Sequence, residues 1–348
     1  MKRQDYDLAK MLKYENIAWY EDGIVKILDR RVYPVTERFE ICRTHQEVAK
    51  AITDMVTQSG GPYTAARMGM ALAAYECRDL KSKDKLEYLN RAAKTLSQAR
   101  PTTSKRMKLV TDKILQIAKY AIDNDLNLVD EIMKSAIDSL NEKYLRYGKL
   151  ANYLVDLFPK SGTIMTQCFG EVIVGLMLRE AKERNLDIKV ICPETRPYFQ
   201  GARLTSTVCS EQGFDTTIIT DNAVAFTMKQ GVDLFTSAAD AICLDGHVVN
   251  KIGTYQMAMV ANNLGIPYFV TGVPDIAHPD IDTVEIEYRD GDFVLQAMGV
   301  PTTNRNVKGF YPSFDITPPH LISGVVTDKG IFSPYDLDKY EHEGFVEP

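Results

Sequence analysis

Ser237-Ala-Ala-Asp240-Ala-Ile-Cys-Leu-Asp245-Gly246-His-Val-Val-Asn250-Lys251-Ile-Gly253-Thr-Tyr255 follows an apolar run, 232–235, and leads into a run with helical spacing, 255–263. That order puts Asp240 just past the C-terminal end of a strand. Asp245-Gly246 then reads as a tight turn, and Gly253 stands at a helix start. Open α/β sheets bind ligands outside the C-terminal ends of their strands. The carboxylate of Asp240, the amide of Asn250 and the ammonium of Lys251, gathered there, can hold an anionic, hydroxylated ligand and move its protons. The same residues also make an ordinary strand–turn–helix connection with solvated side chains. Only the rest of the chain separates the two readings.

Around this stretch, apolar segments at 163–166, 188–192, 217–220, 234–237 and 266–272 alternate with helical patterns at 172–184, 202–212, 223–230 and 255–264. Such alternation predicts an α/β domain over 151–348, a parallel sheet with helices on both faces. GxGxxG is missing, so no dinucleotide is expected. Residues 16–150 obey another grammar. A small antiparallel sheet runs from Ile17 to Pro34, with Glu21-Asp22-Gly23 as a hairpin turn. Helices follow, opened by Thr44-His-Gln-Glu47 as a capping box. Val48, Ile52, Met55 and Val56 share one face, and further helices fall at 63–77, 86–98, 104–124 and 129–150. The tail from Phe314 either covers the edge of the second domain or meets a partner.

The composition is that of a globular protein of two domains: 348 residues, 45% hydrophobic, 25% charged, net charge −6. No apolar run approaches the roughly 18 residues of a membrane span. The acidic balance argues against nucleic acid as a partner. Residues 1–15 form a polar leader without the apolar core of a signal peptide. Six cysteines without a CxxC pair suggest free thiols in a reducing cytoplasm. Five histidines show no ligand spacing, so no metal is expected.

Polar residues collect where strands end. Cys168 follows the first, Glu194-Thr195-Arg196-Pro197 the second with Gln200 and Arg203 behind, Asp221-Asn222 the third and Asp240 the fourth. A thiol and a carboxyl on one rim form a candidate proton-transfer pair. A lone cysteine also serves as a small core hydrophobe, and Glu194 with Arg196 can simply hold a loop. In the first domain, Ser59-Gly60-Gly61 before a helix offers backbone N–H groups to a phosphate or makes an interhelix turn. Arg100 stands at a second helix junction, Ala99-Arg100-Pro101-Thr102-Thr103.

Several of these segments resemble one family. Glu194-Thr-Arg-Pro-Tyr-Phe-Gln200-Gly-Ala-Arg203-Leu-Thr is similar to the ETRPxxQGxRLT segment of S-methyl-5-thioribose-1-phosphate isomerases, and Asn250-Lys-Ile-Gly-Thr-Tyr255 to their NKIGTY. Ile219-Thr-Asp-Asn, Pro267-Tyr-Phe-Val, Phe314-Asp-Ile-Thr-Pro, Leu28-Asp29 and Arg100-Pro-Thr also fit, so the likeness spans residues 16–335. The wider family includes ribose-1,5-bisphosphate isomerases and regulatory subunits of the initiation factor 2B type. The resemblance implies a Rossmann-like C-terminal domain and an aldose–ketose isomerase of methionine salvage, cytoplasmic, homodimeric and cofactor-free. Its substrate would be 5-methylthioribose 1-phosphate or a close analogue such as 5-deoxyribose 1-phosphate, converted to the ribulose 1-phosphate. The alternatives it carries are a ribose-1,5-bisphosphate isomerase and a non-catalytic subunit that binds a sugar phosphate or nucleotide. It implies catalytic roles for Cys168 and Asp240 and substrate binding by Ser59, Gly60, Gly61, Arg100, Gln200, Asn250 and Lys251.

Three motifs depart from the family. RGAP is Ser59-Gly-Gly-Pro62, HCNAG is Gln167-Cys168-Phe169-Gly170-Glu171, and GADR is Ala238-Ala239-Asp240-Ala241. Kept reactive residues with changed neighbours suggest retained chemistry on a changed substrate. Phe169 and Ala241 then favour a small apolar C5 group, and an apolar crevice is expected to keep Asp240 protonated.

Overall fold

Asp22 and Gly23 turn the chain in the left-handed region, φ 46° and 78°. Two-residue turns of that hand match the twist of paired strands, so β1 (Ala18–Glu21) and β2 (Ile24–Leu28) form the expected hairpin. The computed structural model describes residues 3–100 and 104–341. It adds a third strand, β3 (Phe39–Cys42), paired to β2. The sequence reading ended this sheet at Pro34; β3 is too short for its alternation to stand out.

Thr44 caps α1 (His45–Thr53): its hydroxyl accepts the Glu47 amide at 3.2 Å. The box is not closed as expected, because the Glu47 carboxylate accepts the amide of Arg43 rather than that of Thr44. Met55, at φ 60°, stands outside the helix, while Val48, Ile52 and Val56 are buried. Next come α2 (Gly61–Glu76), α3 (Ser82–Ser97), α4 (Ser104–Asp123) and α5 (Leu128–Val155). Every residue of α2 from Gly61 to Ala74 is buried, as befits a helix apolar or small on all sides. Of the helix-start signal after Ala99, residues 101–103 lie outside the described residues.

The chain divides into two compact units, one over Lys10–Leu145, the other from Arg146 onward and including Asp7–Ala9. In the second unit β4 (Ser161–Met165), α6 (Val172–Glu183), β5 (Asp187–Pro193), a π-turn (Gly201–Thr205) running into α7 (Ser206–Glu211), and β6 (Asp215–Ile219) come first. Then follow α8 (Val224–Lys229), β7 (Leu234–Ala238), β8 (Ala241–Ile242), β9 (Val248–Lys251), α9 (Thr254–Leu264) and β10 (Tyr268–Thr271). The remaining strands are β11 (Gln296–Ala297), β12 (Val300–Pro301), β13 (Phe314–Thr317), β14 (Gly324–Thr327) and β15 (Gly330–Phe332).

The main sheet has the order β15-β14-β10-β7-β4-β5-β6 and is parallel except for β15. The expected α/β class is therefore found. Its middle is a dry core of Met165, Phe235, Val270 and Met257, with Phe235 stacked on Tyr268 at 4.2 Å. Each such side chain stabilises the fold by about 1.5–3 kcal/mol relative to exposure. The tail does cover the sheet edge, through β14 and β15. A second, antiparallel sheet, β13-β9-β8, was not anticipated.

Candidate active site

Met165 ends β4, and three residues later Cys168 takes up φ 58°. Left-handed backbone is costly for a side chain with a Cβ and persists only when its surroundings impose it. Here the Thr205 hydroxyl, on the π-turn, donates to the Cys168 carbonyl. Gly170 is then crowded by Ile173 and Ala238, whose side chains a Cβ would meet at 2.8 and 3.3 Å. The Cys168 thiol is partly exposed. Desolvation is the largest influence on it and pushes it up to about 11; Asp240 pushes the same way, while Lys251 and the Phe169 amide pull it down. Cys168 thus feels the charge of both Asp240 and Lys251.

The loop after β5 is tied down thoroughly. Asp221 accepts the amides of Thr195 at 2.8 Å and Arg196 at 2.7 Å. Arg203 donates to the Tyr198 carbonyl at 2.6 Å. Thr195 and Phe199 are both left-handed, φ 60° and 57°. Gly201 allows the π-turn to close, since a Cβ there would lie 1.8 Å from the Pro193 carbonyl oxygen. These ties correct the expected Glu194–Arg196 pair. Arg196 uses its guanidinium on the Val294 carbonyl, and burial together with Asp221 raises the Glu194 carboxyl. Gln200 is buried at the head of the π-turn, and its Oε1 has no hydrogen-bond partner among the described residues.

Asp245-Gly246 makes the expected turn between β8 and β9, with Gly246 at φ 90°. Asn250 and Lys251 end β9 and are buried, each about 5% exposed. Asn250 donates its amide to Thr254 at 3.0 Å. The Lys251 ammonium lies 4.7 Å from the Phe314 ring centre and 6.0 Å from that of Tyr311, so aromatic faces rather than water surround it. Asp315 caps α9 by accepting the amides of Gly253 at 2.7 Å and Tyr255 at 3.1 Å. Desolvation raises its carboxyl to about 6, against the pull of those amides and of Lys251. Asp240 behaves otherwise than expected. It is exposed, with its amide on the Val249 carbonyl, so no apolar crevice encloses its carboxyl.

The other predicted residues belong to the first unit. Ser59 is left-handed, φ 58°, and exposed; Gly60 caps α2 and Gly61 begins it. A Cβ on Gly61 would meet the Thr57 hydroxyl at 1.9 Å. Thr57 Oγ1 and the Gln58 amide are buried there without partners among the described residues. The fully buried Arg30 donates to the Gln58 carbonyl at 2.8 Å. A helix N-terminus with close-packed glycine suits an anion. Arg100 is partly exposed beyond α3, next to Ala99, whose carbonyl is bonded by Thr53 at 2.7 Å.

Sequence reasoning gave no role to Asp315, although the Phe314-Asp-Ile-Thr-Pro likeness pointed at it. It gave none to Tyr198 or Tyr311, which carry no sequence signal. Among the described residues no group of three or more His, Cys, Asp or Glu could hold a metal ion, and no helix is long and apolar enough to cross a membrane.

The profile of the Initiation factor 2 subunit family matches residues 59–334. The methylthioribose-1-phosphate isomerase of Pelotomaculum thermopropionicum is 31% identical over 92% of this chain and 92% of its own length. The methylthioribose-1-phosphate isomerase 1 of Pseudothermotoga lettingae is 32% identical over 91% and 94%. The crystal structure of 5-methylthioribose 1-phosphate isomerase from Pyrococcus horikoshii OT3 is similar with TM-score 0.84 at 28% identity, covering 97% of this chain and 99% of that one. A structure described as translation initiation factor eIF-2B, subunit delta, from A. fulgidus reaches 0.81 at 29%, covering 93% and 99%.

Proposed function

This chain belongs to the initiation factor 2 subunit family, and we propose that within it the protein is an aldose–ketose isomerase for a ribose 1-phosphate modified at C5. The single observation that carries this reading is that Cys168 and Asp240 follow adjacent parallel strands, β4 and β7. A module that only binds a sugar phosphate needs no thiol–carboxyl pair.

With phosphate on O1, the sugar ring cannot open by losing the O1 proton. An acid must protonate the ring oxygen as its bond to C1 breaks, and Asp240 takes that role. Asp240 is exposed, and a bound dianion beside it would raise its carboxyl, as any nearby negative charge does. Hydrogen then passes from C2 to C1 and the C2 hydroxyl loses its proton, leaving a C2 ketone with phosphate on O1. A thiol near 11 is a poor base at neutral pH. That favours direct transfer of hydride from C2 to C1, with Cys168 lining the path. Substrate deuterated at C2 should therefore keep its label at C1 in water; washout to solvent would restore the thiolate–enediol route.

Within the second unit Lys251 supplies a phosphate contact, and Gln200 and Asn250 the hydroxyl contacts; within the first, Arg100 and the Ser59–Gly61 amides are groups that suit an anion. Phe169, buried, and Ala241 offer a small C5 group an apolar surface. Burial gives about 0.8 kcal/mol per methylene-sized unit, whereas an unpaired second phosphate costs much more. Methylthioribose or 5-deoxyribose 1-phosphate should outrun ribose 1,5-bisphosphate in kcat/KM. Proton NMR of a panel of C5-variant ribose 1-phosphates tests this, and a win for the bisphosphate overturns it.

The protein acts as a C2 homodimer. Ile276, Tyr288, Met298, Val300 and Phe310 are each at least 60% exposed, and the rings of Tyr288 and Phe310 meet at 5.7 Å; exposed apolar surface of this kind suits a contact with a second copy. A monomer mass by light scattering at micromolar concentration would refute this. The A. fulgidus neighbour favours a second reading, a non-catalytic regulatory subunit. Binding of the whole panel without any turnover would establish it.

A further inference from the structure

The segment before β13 places one aromatic side chain where the reading above assigns none. Tyr311 is 3% exposed, and its hydroxyl has no hydrogen-bond partner among the described residues. Its backbone is fixed on both sides: the Tyr311 carbonyl accepts the Arg289 amide at 2.9 Å, and Ser313 donates to Glu287 at 2.8 Å. The ring sits 6.1 Å from that of Tyr198 and 6.0 Å from the Lys251 ammonium. The Tyr311 phenol also feels the charge of Cys168. Leaving a buried hydroxyl unpaired is costly, and a group retained in that state calls for an explanation, a catalytic role among them.

Resting on the isomerase reading, we propose that Tyr311 is a further catalytic residue, whose hydroxyl donates a hydrogen bond to the C2 oxygen of the pentose 1-phosphate. Three features select that oxygen. Tyr311 shares Cys168's surroundings, and in this reading Cys168 lines the C2–C1 hydrogen path. Burial pushes the phenol well above its usual range, so it stays a donor throughout neutral pH. The C2 oxygen is where charge changes as hydroxyl becomes ketone, and a donor fixed in a dry site acts most strongly on such an atom.

The test is Tyr311→Phe in the full-length protein. Phenylalanine keeps the ring contacts and removes only the hydroxyl. The variant should melt at or above the wild-type temperature, because an unsatisfied buried group is deleted. Its kcat on methylthioribose 1-phosphate should fall about 10–100-fold, with KM changed less than threefold. Inhibition by 2-deoxyribose 1-phosphate, which lacks the C2 oxygen, should stay within twofold of wild type. Unchanged kcat in Tyr311→Phe, beside an active wild type, overturns the proposal and leaves the isomerase reading intact. Inhibition by the 2-deoxy compound that weakens in parallel with kcat also overturns it, since Tyr311 would then serve another atom. A wild type inert toward every pentose 1-phosphate sinks both.

Discussion

Cys168 and Asp240 follow adjacent parallel strands, β4 and β7, yet they meet opposite surroundings. Around Cys168 the backbone is forced left-handed, its carbonyl is bonded by Thr205, and burial pushes the thiol up to about 11. Asp240 stands exposed on a short link between β7 and β8. The fold desolvates the thiol, whereas the Asp240 residue is open to solvent. The same contrast separates the loop after β5, over-determined by Asp221 and Gly201, from the open link that carries Asp240.

The most severe way to break this contrast is to remove each reactive group. Asp240→Asn and Cys168→Ser should each lower kcat by about 10²–10⁴-fold. The Asp240→Asn melting temperature should stay within about 2 °C of wild type, since exposed positions seldom change stability by more than ~0.5 kcal/mol. Full turnover by either variant removes that residue from the chemistry.

Gly201→Ala attacks the rigid side. Its Cβ would fall 1.8 Å from the Pro193 carbonyl oxygen, so the π-turn must move, at a cost of about 1–3 kcal/mol. Calorimetry should show a melting point lower by several degrees, and kcat/KM should drop about tenfold as Gln200 is displaced. A variant with unchanged melting and activity would mean that the loop is less constrained than its contacts indicate.

Asp315 gives a pH signature. Its folded carboxyl, at about 6, lies above its ordinary 3.8. The folded state therefore binds the proton more tightly, and the Asp315 contribution to stability declines as pH rises from about 4 to 6, then levels off. Activity runs the other way: below about 6 the neutral carboxyl holds the Gly253 and Tyr255 amides less well, so kcat/KM should fall on the acid side. Asp315→Asn should erase that inflection, and a profile with the same acid limb would assign it elsewhere.

The smallest effect concerns the coupling itself. Asp240 raises the Cys168 thiol, so Asp240→Asn should speed alkylation of Cys168 by iodoacetamide a few-fold at pH 8, through a larger thiolate fraction. Mass spectrometry of the labelled peptide reads this directly, and a slower rate would reverse the inferred sign.

What the sequence disclosed follows from physical range. The parallel strands announced themselves as short, mostly apolar runs, as at Tyr268 to Val270 inside the sheet. Helix starts at Thr44 and Gly253 are local, fixed by a cap or a single left-handed glycine. The sheet of β8, β9 and β13 escaped, because two of its partners lie more than 60 residues apart and its strands are two to four residues long. Cys168 and Asp240 could be placed near one another because they follow strands that lie side by side in the parallel sheet, whereas Lys251 belongs to β9 of the second sheet. The exposure of Asp240, the exchange of Glu194 for Asp221 as the loop's anchor, and the unpaired hydroxyl of Tyr311 depend on packing in three dimensions, which spacing along a chain does not encode.

The cap that Asp315 places on α9 bonds an amide 62 residues earlier in the chain, and β14 fills the place beside β10 later still. During synthesis, Cys168, Asp240 and Lys251 therefore emerge well before the strands that brace them. A nascent chain halted before Phe314 carries the reactive side chains but lacks the α9 cap, and β10 shows an unpaired edge, the surface on which sheets aggregate. Pairings this distant form slowly, so the hazard is concentrated in the interval before β13 and β14 have been made. Ribosome-bound chains stopped before Phe314 should be cut by protease within the second unit, and chains extended past Phe332 should resist.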